Sequence, residues 1–182
     1  MSRLRRAVLV PALMSGLMVP AHAQVPDVAR GELTTWLAFN ELCIQPEGGL
    51  GAWNHALIKL VTCGTSTPPD QYNPSYFWAT HYIARDTDGV WVQIVNQGHQ
   101  GTRLCLDLTN GNTADGTPIQ LYECRSTTGQ YWKIEDNGRI RNWRSDKCLD
   151  VQFGDAFPGA TVQNYHCADH GGVNFAQRWS WK

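Results

Sequence analysis

The sequence predicts an all-β domain made of three repeats of one unit, and three observations carry that prediction. An ordered constellation recurs: Cys105-Leu106-Asp107-Leu108, Ile119 to Cys124 and Gln130-Tyr131-Trp132 return as Cys148-Leu149-Asp150-Val151, Val162 to Cys167 and Gln177-Arg178-Trp179. A worn copy lies upstream, with Cys43-Ile44-Gln45, Ile58 to Cys63 and Tyr76-Phe77-Trp78; its two cysteines are 20 positions apart, against 19 in each of the others. Self-similarity on a period of roughly 20–50 residues decides an architecture before local propensity does. Finally, beyond the N-terminal leader no stretch of ten or more residues shows a 3.6-residue apolar period, whereas short alternating runs follow turn signals.

In chain order, Arg3, Arg5 and Arg6 precede an apolar run from Ala7 to Val19, then Pro20 and Ala21-His22-Ala23. A basic start, a short apolar run and an Ala-x-Ala site describe a secretory signal peptide over residues 1–23. The run is too short for a spanning helix, which needs ~20 apolar residues, so no membrane insertion is expected. No Cys sits near the cleavage site, so lipoprotein anchoring is not indicated. The predicted location is secreted or periplasmic, with an N-terminal extension over 24–33 and one domain over 34–182. Loss of three Arg takes the basic count from 15 to 12 against 16 acidic residues, a net charge of about −4. That balance argues against a phosphate-tracking surface and a nucleic-acid partner.

Each module owns a leading strand. Leu33 to Phe39 runs into Cys43, and Asp88-Gly89 and Asn137-Gly138 are hairpin signals followed by Val90 to Val95 and Arg139 to Trp143, which run into Cys105 and Cys148. Closing the first module on the last would remove exposed sheet edges. The first module carries an insertion, Thr65 to Pro74, read as a tolerated surface loop, with partner docking as the alternative. Arg139, Arg141, Arg144 and Lys147 form a local basic run, read as a solvated outer face, with a sulfated-glycan patch as the minority alternative.

Six Cys in an exported chain are expected to be bridged, and 15 pairings are formally open. One short-range pair per module respects the repeat: Cys43–Cys63, Cys105–Cys124 and Cys148–Cys167. Zinc competes poorly, since no close C-x2-4-C couple exists and no metal is expected. Each bridge closes a loop of about 20 residues, which corresponds to about 3 kcal/mol of constraint on the unfolded chain.

From about Thr34 to Lys182 these motifs resemble the ricin B-type lectin domain, a β-trefoil with a Gln-x-Trp in each of three repeats. The resemblance implies that Trp78, Trp132 and Trp179 pack the core. It also implies that Tyr122 and Tyr165, each two before the second Cys of its module, present a ring to sugar. A pyranose has an apolar C–H face that stacks on a ring, while its hydroxyls demand charged or amide partners. Asp107 and Asp150 are the expected anchors, exposed carboxylates that accept from two adjacent hydroxyls; a turn cap is their competing role. Gln130 and Gln177, from the Gln-x-Trp, are expected mainly to hold structure while bordering the sugar. Where the family places an Asn before this Gln, the chain has Gly129 and Ala176, with Asn174 as a substitute in the third module, so a galactose-type ligand is only one option. In the first module Gln45 replaces the Asp and Val61 the aromatic, so that site is expected to be lost.

Catalysis finds no motif: G-x-S-x-G, H-E-x-x-H and a P-loop are all missing. Asp107 and Asp150 lie in separate modules, whereas a glycosidase pair must approach within ~10 Å. His166 and His170 flank Cys167 as a loop pair, and no cofactor is expected. The predicted function is a secreted lectin that binds glycans through modules two and three and is not an enzyme. The alternatives are a receptor-binding subunit of an exported toxin, resembling the trefoil subunits of cytolethal distending toxin and partnered by a toxin catalytic subunit, and an enzyme or enzyme inhibitor on a trefoil scaffold.

Overall fold

The computed structural model describes residues 29–182 apart from 40, 65–73, 88, 100 and 169–173. The leader, most of the insertion and His170 lie outside the described residues. Every α-helix is missing among them, and twelve strands form one sheet system: β1 (Arg30–Thr35), β2 (Leu42–Pro46), β3 (Ile58–Thr62), β4 (Phe77–Asp86), β5 (Gly89–Asn96), β6 (Leu104–Leu108), β7 (Thr117–Glu123), β8 (Trp132–Ile134), β9 (Ile140–Asn142), β10 (Cys148–Val151), β11 (Val162–Tyr165) and β12 (Trp179–Trp181).

Three hairpins, β2–β3, β6–β7 and β10–β11, carry the repeat, and their registers correspond: Cys43↔Val61, Cys105↔Tyr122 and Cys148↔Tyr165. The remaining strands form a barrel through the pairs β12–β1, β1–β4, β4–β5, β5–β8 and β8–β9. The gap from β9 to β12 is bridged by Trp179 N–H donating to Gly138 O at 2.8 Å. The hairpins then close on one another. Leu57 bridges Gln120, Thr117 and Pro118 pair with Asn164 and Gln163, and Thr161 bridges back to Lys59. This is the three-repeat β-trefoil, with edges removed by closure as expected.

The two-residue period of a strand sorts the hairpins into two faces. In the second module Leu104, Leu106, Leu108, Ile119 and Leu121 point into the core at 0–1% exposure, leaving Cys105, Asp107, Gln120 and Tyr122 on the other face. The third module repeats this with Asn164 where the second has Leu121. That buried amide is satisfied by Ser145 Oγ and Ala114 O. Trp78, Trp132 and Trp179 are buried, as their periodic placement predicted, and each indole N–H donates to the carbonyl of a core residue: Ile44 at 3.1 Å, Leu106 at 3.0 Å and Leu149 at 3.0 Å. Disulfides join Cys43–Cys63, Cys105–Cys124 and Cys148–Cys167, one per module, with Cα atoms 5.1 Å apart in all three.

The structure departs from expectation in three places. The sheet begins at Arg30, inside the stretch 24–33 read as an extension, because Arg30–Glu32 pair with β4 and Leu33, fully buried, pairs with Trp181 of β12. β5 does not alternate: Val90 through Asn96 are all buried, since both faces are covered and its polar members are hydrogen-bonded, Asn96 to Ser75 O and Gln93 to Arg125 O. The basic run is not a solvated face. Arg139 and Arg141 both clamp Glu135, at 2.7 and 2.9 Å, and Lys147 pairs with Asp115 at 2.7 Å.

Removing the indole donor should expose the dependence on these tryptophans. Trp132→Phe leaves the Leu106 carbonyl buried without its partner, and an unfolding free energy lower by about 1–3 kcal/mol is expected in equilibrium urea denaturation.

Candidate carbohydrate-binding sites

The Gln-x-Trp segment builds the second-module site by gripping both strands of its hairpin. Trp132 Nε1 holds Leu106 O, one residue before Asp107. Gln130, itself buried, donates from Nε2 to Glu123 O at 2.9 Å, one residue after Tyr122, and accepts from Arg125 N–H at 2.7 Å. Asp107 and Tyr122 are thereby fixed relative to each other. The third module repeats the grip: Trp179 holds Leu149 O before Asp150, while Gln177 Nε2 donates to His166 O after Tyr165 at 2.9 Å and its Oε1 accepts from Ala168 N–H at 2.9 Å.

Each carboxylate faces a glutamine across its hairpin. Gln120 Nε2 donates to Asp107 Oδ1 and Gln163 Nε2 to Asp150 Oδ1, both at 2.8 Å. Neither Asp caps a turn; the partners are strand neighbours, Asp107↔Gln120 and Asp150↔Gln163. The expectation of exposed carboxylates is corrected. Asp107 is half-buried and Asp150 only 5% exposed, and burial pushes both carboxyls above the ordinary Asp value against the opposing effect of their glutamine donors. The cause is geometric, because the hairpin floor, the partner glutamine and the glutamine of the Gln-x-Trp close around each carboxylate.

The second-module cavity, about 220 Å³, is lined by Asp107, Gln120, Tyr122 and Gln130 together with His55, Asn110 and Arg125. His55 Nδ1 lies 3.2 Å from Gln120 Oε1, its ring meets the Tyr122 ring edge-on at 5.0 Å, and the Arg125 guanidinium stands 5.0 Å from the Tyr122 centroid. His55 comes from the first module, whose loop docks on β7 through Leu121 N–H to Ala56 O at 2.7 Å and His55 N–H to Leu121 O at 2.8 Å.

The third-module cavity, about 390 Å³, takes Asp150, Gln163, Tyr165, Asn174 and Phe153 into its wall. Asn174 accepts from Ala176 N–H at 3.1 Å through Oδ1, which caps a short turn and leaves Nδ2 for the cavity. Phe153 is 87% exposed and sits at φ 58, a left-handed conformation that a bulky residue adopts at a cost. The same position, five after the first Cys of the module, is Asn110 in the second module and Gly48 in the first, both also left-handed.

The first module has no counterpart. Gln45 Nε2 donates to Ser75 Oγ, Lys59 Nζ donates to Thr161 Oγ1 at 2.8 Å, and Val61 stands where the ring would be, so neither acceptor nor platform is present. Tyr76 replaces the Gln of the Gln-x-Trp, and the grip on the second strand goes with it.

The structure thus brings together Asp107, Tyr122 and Gln130 at one cavity, and Asp150, Tyr165 and Asn174 at another with Gln177 holding the hairpin. Sequence reasoning missed Gln120 and Gln163, although a shared Gln-x-Tyr, Gln120-Leu121-Tyr122 and Gln163-Asn164-Tyr165, signalled them. His55, Arg125 and Phe153 lack a repeated counterpart and left no signal.

The chain is 32% identical over 81 residues to a probable lipoprotein, EnvE, of Salmonella typhimurium, covering 44% of each chain. It spans less than half the length of the curated relatives it matches. The fold is similar to that of a designed threefold-symmetric protein, ThreeFoil, with a TM-score of 0.65 and 18% identity over 82% of this chain and 95% of that one. It is also similar to the cytolethal distending toxin of Haemophilus ducreyi, with a TM-score of 0.56 and 13% identity over 97% of this chain and 88% of that one. The sequence pattern of the ricin-type β-trefoil lectin domain matches residues 90–182, just over half of the chain, and the protein belongs to that family.

Proposed function

We propose that the protein is an exported lectin that captures glycans through its second and third modules, with the first module retained for the fold. One observation carries the reading: a carboxylate, a glutamine and a tyrosine, Asp107–Gln120–Tyr122 and Asp150–Gln163–Tyr165, recur at cavity mouths with both carboxylates held against the desolvation of burial. Folding gains nothing from a half-satisfied buried charge, whereas a sugar gains an acceptor for adjacent hydroxyls beside a ring for its C–H face. The leader over residues 1–23 supports export. A second reading, the receptor-binding subunit of an exported toxin, is favoured by the extent of the fold likeness to cytolethal distending toxin. It requires a catalytic partner, and a co-expressed enzymatic chain that co-purifies with this one separates the two.

A shallow site with one carboxylate, one ring and one amide should bind a monosaccharide near 1 mM, about −4 kcal/mol. Two such sites engaging one surface gain roughly 10²–10⁴-fold in avidity. Asp107→Asn or Asp150→Asn should therefore each strongly weaken capture on a multivalent glycan surface, and the pair should abolish it. Retained capture by the double variant in surface plasmon resonance would place the sugar elsewhere.

The same substitutions make a stability prediction with a definite sign. An Asp whose folded pKa is raised binds more protons folded than unfolded, so it lowers stability as pH rises from the ordinary carboxylate pKa through the raised one. Asp150→Asn keeps an acceptor for Gln163 and removes that charge. Its melting temperature at pH 7 should equal or exceed that of the parent, and the difference should vanish at low pH; a lower value at pH 7 means the carboxylate serves the fold. Sugar binding by the parent should weaken in the same window, as the acceptor protonates.

Phe153 sets the two sites apart. Phe153→Asn gives the third module the residue of the second, and its binding of a disaccharide, measured by calorimetry in the Asp107→Asn background, should fall toward that of a monosaccharide.

A further inference from the structure

We infer that a basic cavity between β1, the β4–β5 hairpin and the loop leading to β6 binds an oxyanion of the sulfate or phosphate ester class, independently of the two sugar sites. The cavity encloses about 330 Å³, ample for such a group with part of its carrier. Arg30, His81, His99 and Arg103 line it, and among the described residues no Asp or Glu does. That concentration runs against the chain, whose formal net charge is −1. It also contrasts with Arg125, Lys133, Arg139, Arg141 and Lys147, each of which pairs with a carboxylate. Arg30 and Arg103 have no such partner among the described residues.

A second observation points to a ligand. His99 Nε2 is shielded from solvent with no hydrogen-bond partner, and desolvation holds the imidazole below its ordinary pKa. The unsatisfied His99 nitrogen has a cost that the fold does not offset, and the two guanidinium groups that line the same cavity are exposed to solvent. An oxyanion would engage the two guanidinium forks, which arrive from separate elements and match a group with three or four acceptor oxygens.

The loop that carries His99 is fixed in place. Asn96, 3% exposed, donates from Nδ2 to Ser75 O at 2.9 Å and accepts from Gly98 N–H at 2.9 Å. Gly98 approaches so closely that a Cβ there would come within 2.9 Å of Ser75 Cα. The imidazole is thus presented by backbone packing, and the exposed Trp53 ring stands 6.1 Å from it as one flank for a sugar or other carrier.

The test is calorimetric titration with sodium sulfate and sodium phosphate at constant ionic strength in chloride, followed by galactose 6-sulfate and galactose 6-phosphate. Saturable binding of at least one inorganic anion is expected. Arg30→Gln and Arg103→Gln should each weaken it on the order of tenfold, while glycan capture through Asp107 and Asp150 and the melting temperature stay unchanged. The ester that binds more tightly names the oxyanion. Absence of saturation at tens of millimolar, equal competition by chloride, or full binding by the Arg30→Gln/Arg103→Gln double variant would overturn the inference. Because the readout is anion binding, its failure leaves the sugar sites untouched, and the loss of the sugar sites leaves it standing.

Discussion

The indole N–H of the module tryptophan, held by the carbonyl of a core strand, is the interaction on which the rest of this trefoil depends. It satisfies the polar edge of the largest buried side chains and ties the last strand of each module to its hairpin. It also places chemistry. The bonded carbonyl belongs to Leu106 or Leu149, and the next residue is Asp107 or Asp150, so a rigid core contact sits one peptide from a carboxylate that lines a cavity. The glutamine two residues earlier does the same for the tyrosine. One short motif therefore sets both the packing and the spacing of acceptor and ring. The first module shows the two halves separately: it keeps the Trp78–Ile44 bond and its fold, and lacks both the glutamine grip and the site.

The alternation of the hairpin strands explains why packing and recognition do not compete for the same positions. Leucines and isoleucines take the core face, leaving cysteine, aspartate, glutamine and tyrosine to share the other. The disulfide lies on that second face two residues from each aspartate and two from each tyrosine, so it braces the floor of the site as well as the unfolded chain. Within this frame the carboxylates are the strained element. Their glutamine partners return part of the lost hydration, and a hydroxyl pair entering the cavity would return the rest.

Much of this was legible in the sequence, because what repeats is visible as repetition. The fold class, the pairing of the cysteines, the buried tryptophans and the loss of the first site all follow from comparing one module with another. What was not legible lies where threefold symmetry fails. The extent of burial at Asp150 depends on how the chain folds over it, which the motif does not encode. β5 carries an alternating pattern, yet Val90 to Asn96 are all buried, and Gln93 and Asn96 find hydrogen-bond partners inside. The basic run looked solvent-facing until Glu135, outside the strand, proved to neutralise two of its arginines.

The same asymmetry gives the worn first module a role beyond filling the third sector. Its loop crosses to β7, where Asn54 Oδ1 accepts from Glu123 N–H at 2.7 Å and His55 reaches Gln120 and Tyr122. The second module in turn reaches the third, with Asp115 accepting from His166 N–H at 2.9 Å and pairing with its ring. Each surviving site is thus walled or braced by the module before it. A module that has lost its own carboxylate and ring still supplies the wall of its neighbour's site, and a domain reduced to the second and third modules would lack His55 as well as the closing strand β1. The wall of the second-module cavity is divided between a hairpin that supplies the carboxylate and the ring and a preceding loop that stands beside them. That division lets two sites built on the same triad differ in size and in the residues at their lips.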